Sequence, residues 1–185
     1  EILSGLVGSE MCIRDSLKVL DNPDDTVSLR RIVNVPKRAI GDKAQAMVAL
    51  HADNHGQSFG CSLIDASLGN VDMLNSRSTN AISGFVQMME GIREEMPQMV
   101  NEVTGMPDLG QLVARILDAT GYKSELEASN DPQDAARLDN VNELVSVARE
   151  FSSEAANQLA YMTQEDLDAA MEEGEPAPGS LQALS

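Results

Sequence analysis

Aromatic side chains are nearly missing from this chain, which has three Phe, two Tyr and no Trp in 185 residues. A core without them has to be filled by aliphatic side chains and by the 10 Met, whose flexible thioethers fit irregular gaps; such a composition favours helices. Cysteine is equally scarce. Cys12 and Cys61 are too few for a disulfide framework and stand at no metal-ligand spacing, so a reducing, cytoplasmic compartment is expected. Positive charge is also in short supply. Against 30 Asp plus Glu stand 13 Lys plus Arg, a net charge of -17, which excludes nucleic acid or an anionic membrane as the partner of the whole surface. Any polyanion site must be local. No apolar run approaches the roughly 18–20 residues of a membrane-spanning helix, so no membrane partner is expected. Ile2 to Val7 is short, broken by Gly5 and preceded by Glu1 rather than a basic region, which argues against export. No segment alternates apolar and polar residues long enough to propose a strand, and no repeat of roughly 20–50 residues is visible.

Helical periodicity is what the chain does have. Leu109, Leu112, Val113, Ile116 and Leu117 fall on one helix face between a capping Asp108 and a terminating Gly121. The stripe recurs at Ile82, Phe85, Val86, Met89 and Ile92, and at Leu138, Val141, Leu144, Val145, Ala148 and Phe151, the last helix starting at Asp131 and Pro132. Asn22 and Pro23 repeat that start signal, with Leu29, Ile32 and Val33 as the buried stripe and a stop near Asn34. After the turn Pro36 to Gly41, Asp42 caps a helix through Ala44, Met47, Val48 and His51. Short helices are expected over Ser62 to Leu68 and Ser124 to Ala128. From Thr163 a capping pattern leads into a short acidic helix to Glu173 and the loop Gly174 to Gly179. The predicted class is all-α, a multi-helix orthogonal bundle.

Chemistry-bearing constellations are few. Gly41, Asp42 and Lys43 lack the preceding strand, the upstream glycine and the following Ser or Thr of a phosphate-binding loop, so no ATP site is expected in this chain. His51 and His55 stand one helical turn apart, but Ala52 occupies the place of a metalloprotease glutamate, and two surface histidines are expected. Clustered carboxylates such as Glu172 and Glu173 read as a solvated face. Charge, however, is unevenly spread. Residues 121–185 hold 14 acidic residues against Lys123, Arg137 and Arg149, whereas Ser28 to Lys43 carry Arg30, Arg31, Lys37, Arg38 and Lys43 against Asp42 alone.

The run LKVLDNPDDTVSLRRIVNVPKRAIG, Leu17 to Gly41, resembles the start of the 2B subdomain of superfamily 1 DNA helicases of the UvrD/PcrA type. The residues that carry the resemblance are Asn22, Pro23, Asp24, Asp25, Ser28, Arg31, Ile32, Asn34, Pro36, Arg38, Ile40 and Gly41. Thr120, Gly121, Tyr122, Glu125 and Leu126, then Arg137, Leu138, Asn140, Glu143, Leu144, Ser146, Val147 and Phe151, extend it downstream. The resemblance implies a fragment, with residues 17–162 a helicase 2B-like helical subdomain and 163–185 an acidic linker returning toward the 2A motor domain. Pro176 to Leu184 is similar to that linker in actinobacterial members. Residues 5–16, GLVGSEMCIRDS, resemble translated sequencing-adapter read-through, so residues 1–16 are set aside as non-native.

Function follows as an implication of the same resemblance. The parent is expected to use ATP and magnesium to move 3′-to-5′ on single-stranded DNA, while this fragment carries no catalytic site, cofactor or metal. The turn Pro36 to Gly41 resembles a helix-hairpin-helix, whose amides, here those of Ile40, Gly41 and Asp42, would face one phosphate at a helix N-terminus, with Lys37, Arg38 and Lys43 on neighbouring phosphates. Ala39 stands where the family has Gly, so a positive φ there implies strain. Ser76 and Arg77, after Leu74 and Asn75, form a second, weaker candidate contact. Expected partners are duplex and single-strand junction DNA, bound weakly and without specificity, the remaining helicase domains in cis, and repair or transcription proteins. The alternative is an all-α interaction module whose acidic C-terminal third docks a basic partner.

Overall fold

Asp25, Ser58, Asn75 and Asp108 each turn a side-chain oxygen back onto the amide three residues on, at 3.1, 3.1, 2.8 and 3.1 Å, and a helix begins after each of them. The computed structural model describes residues 3–161 apart from 103, 104 and 106. Among the described residues eight α-helices follow in order: α1 (Leu3–Asp21), α2 (Thr26–Ile32), α3 (Asp42–His55), α4 (Phe59–Ser67), α5 (Ser76–Glu95), α6 (Leu109–Thr120), α7 (Tyr122–Ala128) and α8 (Pro132–Tyr161). A 3-10 turn at Met96–Gln98 follows α5, and no strand occurs among the described residues beyond the single bridge Val100 to Pro107. The chain is all-α. The acidic helix and loop expected after Thr163, with Glu172 and Glu173, lie outside the described residues.

Helix starts show where local signals win. Asp108 caps α6 and Gly121 ends it at φ 70°, while the Asp131 carboxylate accepts from the Gln133 amide at 2.9 Å to open α8. Asn22 and Pro23, by contrast, do not start α2. Asn22 Oδ1 accepts from the Asp24 amide at 3.1 Å and closes a tight turn between α1 and α2, leaving Asp25 as the cap. Likewise Gly41, not Asp42, is the N-cap of α3; that helix runs on to His55 because Gly56 supplies the left-handed exit at φ 62°. The cap Ser58 starts α4 three residues before the expected Ser62.

Packing forms a circuit. Helix α1 lies against α2 and α8, α2 against α4, α4 against α5, α5 against α6, and α6 against α8, with α3 held by α4 and α7 by α6 and α8. Inside it, Ile13, Val33, Ile40, Val48, Ile82, Ile92, Val113, Ile116 and Val141 are almost wholly buried. The core is therefore built from isoleucine, valine and leucine rather than methionine. Met89 alone among the described methionines belongs to the buried core, and Met73 is 83% exposed. Between α6 and α8 the backbones come close: a Cβ on Gly110 would sit 2.1 Å from Arg149 Cγ, and the Ser152 hydroxyl accepts from the Leu109 amide at 2.7 Å. Arg115 clamps α6 to α5 through two bonds to Glu95, 2.6 and 3.0 Å.

The segment set aside by sequence takes part in this core. Within α1, Cys12, Ile13, Asp15 and Ser16 are buried; Asp15 accepts from Ser28 Oγ at 3.3 Å and pairs with Arg31 at 3.4 Å. Burial pushes the Cys12 thiol up to about 11.

A repeat invisible in the sequence emerges in the backbone. Among the described residues, Ala39 and Met73, 34 positions apart, are the two non-glycine residues at positive φ, 63° and 67°. Each stands two residues before an N-cap, Gly41 or Asn75, and each turn opens a long helix. The buried register continues in step, Ala44 and Val48 matching Ser78 and Ile82. Conformation and burial repeat here while side-chain identity does not.

Candidate nucleic-acid interface

Nine residues, Val33 to Gly41, connect α2 to α3, and a buried apolar anchor fixes the turn at its far end. Ile40 is 0% exposed, and its carbonyl accepts from Gln45 Nε2 at 3.0 Å. Asn34 holds the other side: its Oδ1 accepts from the Arg38 amide at 2.8 Å and from the Ile40 amide at 3.2 Å. Ala39 is pinned between those two bonds in the left-handed region, with its side chain exposed. The sequence expectation of strain at this position is met, because an L-residue there brings Cβ against the carbonyl.

Of the expected phosphate contacts, two are already committed inward. Arg38 Nη1 donates to the Ile32 and Val35 carbonyls at 3.0 and 2.8 Å, and the guanidinium lies 5.5 Å from the Phe85 ring centroid, while Nη2 is buried without a partner. Burial lowers its pKa, opposed by Cys12 and Glu125. The amide of Ile40 is likewise consumed by Asn34, which corrects the expectation that it faces a phosphate. Arg31 is partly neutralised by Asp15, and Arg30 lies 5.6 Å over Phe59.

What remains outward is narrower than the sequence run. Lys37, Gly41, Asp42 and Lys43 are exposed, and no side chain caps α3. Its first-turn amides and the positive end of its dipole therefore meet solvent between two lysines, with Asp42 as an opposing charge. The second turn differs. Asn75 caps α5 by accepting from Ser78, so the exposed Ser76 and Arg77 flank a helix start that is already capped.

The histidines belong elsewhere. His51 Nε2 lies 3.1 Å from Asp65 Oδ2, and the His51 side chain is only 12% exposed, so it is an α3–α4 strut rather than a surface residue. His55 Nδ1 lies 2.9 Å from the His51 carbonyl. A Gln57 hydrogen bond, then one from His51, holds the Asp65 carboxyl below its ordinary value. Sequence reasoning did not single out Gln57, and it placed Phe85 on a buried stripe without its contact to Arg38; both gain these roles only through packing. A cavity of about 630 Å³ between α1 and α8 is lined by Ile13, Leu17, Leu144 and Val147 and involves none of the turn residues.

The profile of the UvrD-like helicase C-terminal domain matches residues 13–175. The chain belongs to this family. The ATP-dependent DNA helicase UvrD1 of Mycobacterium tuberculosis is 54% identical over 144 residues that cover 78% of this chain and 18% of that protein. The UvrD1 of Mycobacterium leprae is 47% identical over 168 residues, 91% of this chain and 20% of the relative. The ATP-dependent DNA helicase PcrA of Bacillus subtilis is 32% identical over 154 residues, 80% and 19%. The chain thus spans about a fifth of the length of these relatives, and the UvrD-like match begins at Ile13, inside the segment set aside by sequence.

Proposed function

We propose that this chain is the accessory 2B-type subdomain of an ATP-dependent 3′-to-5′ DNA helicase active in repair and replication in the bacterial cytoplasm. It rests on duplex DNA beside a single-strand junction, weakly and without sequence specificity, and so biases the motor between restrained and unwinding states. In this reading residues 17–162 form the subdomain and 163–185 lead back toward the motor, which binds ATP and magnesium. The family match from Ile13 and the burial of Ile13, Asp15 and Ser16 argue against a foreign origin for residues 13–16, and the upstream genomic sequence tests the origin of residues 1–12.

The observation that supports the reading is the uncapped start of α3 between exposed Lys37 and Lys43 at a helix-hairpin-helix-like turn. A phosphate there would accept hydrogen bonds from the Gly41 and Asp42 amides and balance both lysines, with Ser76 and Arg77 as a secondary contact. No base edge is involved, so affinity depends on salt rather than sequence. Lys37→Met and Lys43→Met should each reduce the slope of log K against log salt by about 0.9, measured on a duplex with a single-stranded tail. Absence of binding at low salt removes the DNA role.

A second reading, docking of a basic repair or transcription protein, draws on the exposed Glu143, Glu150 and Glu154 along α8. Reversing Glu150 and Glu154 would weaken that partner and leave DNA binding intact.

A further inference from the structure

We infer that Asn34 is the positioning residue of the proposed DNA contact and that Arg38 is an internal strut, not a phosphate ligand. The inference rests on the reading above and goes beyond it by assigning what holds the contact in shape.

A side-chain carbonyl oxygen can accept two hydrogen bonds, and Asn34 uses both on the loop, at the Arg38 and Ile40 amides. Those amides flank Ala39, so the pair of bonds fixes the strained φ of 63° from both sides. Ile40 in turn is locked by its buried side chain and by Gln45. Gly41, next in the chain, is the N-cap of α3. The direction in which the uncapped amides point is therefore set by a side chain that faces the loop and need not touch DNA.

Arg38 works on the opposite flank. One of its nitrogens bridges the Ile32 and Val35 carbonyls at the end of α2, where a cation is favoured by the helix dipole, and the guanidinium covers Phe85 of α5. Its Nη1 donors are spent on the protein. Releasing it to a phosphate would expose two carbonyls and uncover Phe85.

The test uses the full chain and a labelled duplex with a single-stranded tail, titrated at several salt concentrations, with amide exchange followed in parallel. Asn34→Ala should weaken binding on the order of 10-fold through lost preorganisation, with an unchanged salt slope. It should also lose exchange protection at Arg38 and Ile40. Asn34→Asp keeps the same acceptor and should keep that protection. Adding Ala39→Gly to Asn34→Ala should recover part of the affinity, since glycine adopts the positive φ unaided. Arg38→Met should leave the slope as it is, whereas Lys43→Met lowers it by about 0.9.

Retained protection or unchanged affinity in Asn34→Ala overturns the positioning role, and so does a double variant no better than the single one. A slope reduced in Arg38→Met as in Lys43→Met makes Arg38 a ligand and overturns the strut. If the unaltered chain does not bind DNA, the proposed function fails, while the exchange arm still decides whether Asn34 brackets the loop.

Discussion

Replacing Ala39 by glycine removes a methyl group from the one turn residue that α2 and α3 force into left-handed backbone, φ 63°. The side chain is exposed, so no buried contact is lost with it. An L-residue in that region costs about 1–2 kcal/mol, and glycine returns roughly 0.4–1 kcal/mol of it through the greater freedom of the unfolded chain. The net gain for Ala39→Gly should be about 0.5–1 kcal/mol. In a chain of this size that raises Tm by roughly 1–4 °C. Urea unfolding followed by far-ultraviolet circular dichroism reads it as a higher midpoint at constant m. Met73→Gly, at φ 67° and 83% exposed, is an independent copy of the experiment and should move the same way. Ala39→Val adds a β-branch to the strained position and should destabilise. A lower midpoint for Ala39→Gly would refute the reasoning, because it would mean the loop does not hold residue 39 at positive φ.

Gly110→Ala should destabilise by about 1–3 kcal/mol despite the better helix propensity of alanine, since its Cβ would meet Arg149 Cγ at 2.1 Å and Cα at 3.2 Å; thermal unfolding measures it. Asp65 and Glu95 are held below their ordinary values of 3.8 and 4.5, Asp65 chiefly by Gln57 and Glu95 by Arg115. Their contribution to stability is therefore complete above those values and lost as pH falls through the lower folded-state ones, and Asp65→Asn or Glu95→Gln should flatten the acid limb of a stability-against-pH curve. Cys61 is exposed, whereas Cys12 is buried with its pKa near 11, so a thiol reagent at neutral pH should label one cysteine rapidly and the second only on unfolding.

Reading the chain by its residues located most helices because their signals are local. The α6 stripe with Asp108 and Gly121 needs nothing beyond a dozen neighbouring residues, and the structure places both caps as expected. Asn22 and Pro23 show the limit of such signals. The same two residues can begin a helix or close a turn, and the choice fell to the turn because Asp25 offers a better cap to Ser28, by amide and hydroxyl together. The candidate site was legible as a stretch of positive charge, but not as a surface. Arg38 and Lys37 are adjacent in sequence and equal in charge, yet one is turned onto Phe85, 47 positions away, and the other faces water.

Composition and periodicity by themselves determined the all-α class, the acidic background and the place of the turn before α3, since each depends on propensity and charge within short windows. Only the tertiary structure decided which cations remain free, that Asn34 fastens the loop, that isoleucine, valine and leucine rather than methionine fill the core, and that two turns 34 residues apart each hold a non-glycine residue at positive φ. Those outcomes depend on what each side chain meets across the bundle, and close packing of distant segments is not encoded at any fixed spacing along the chain.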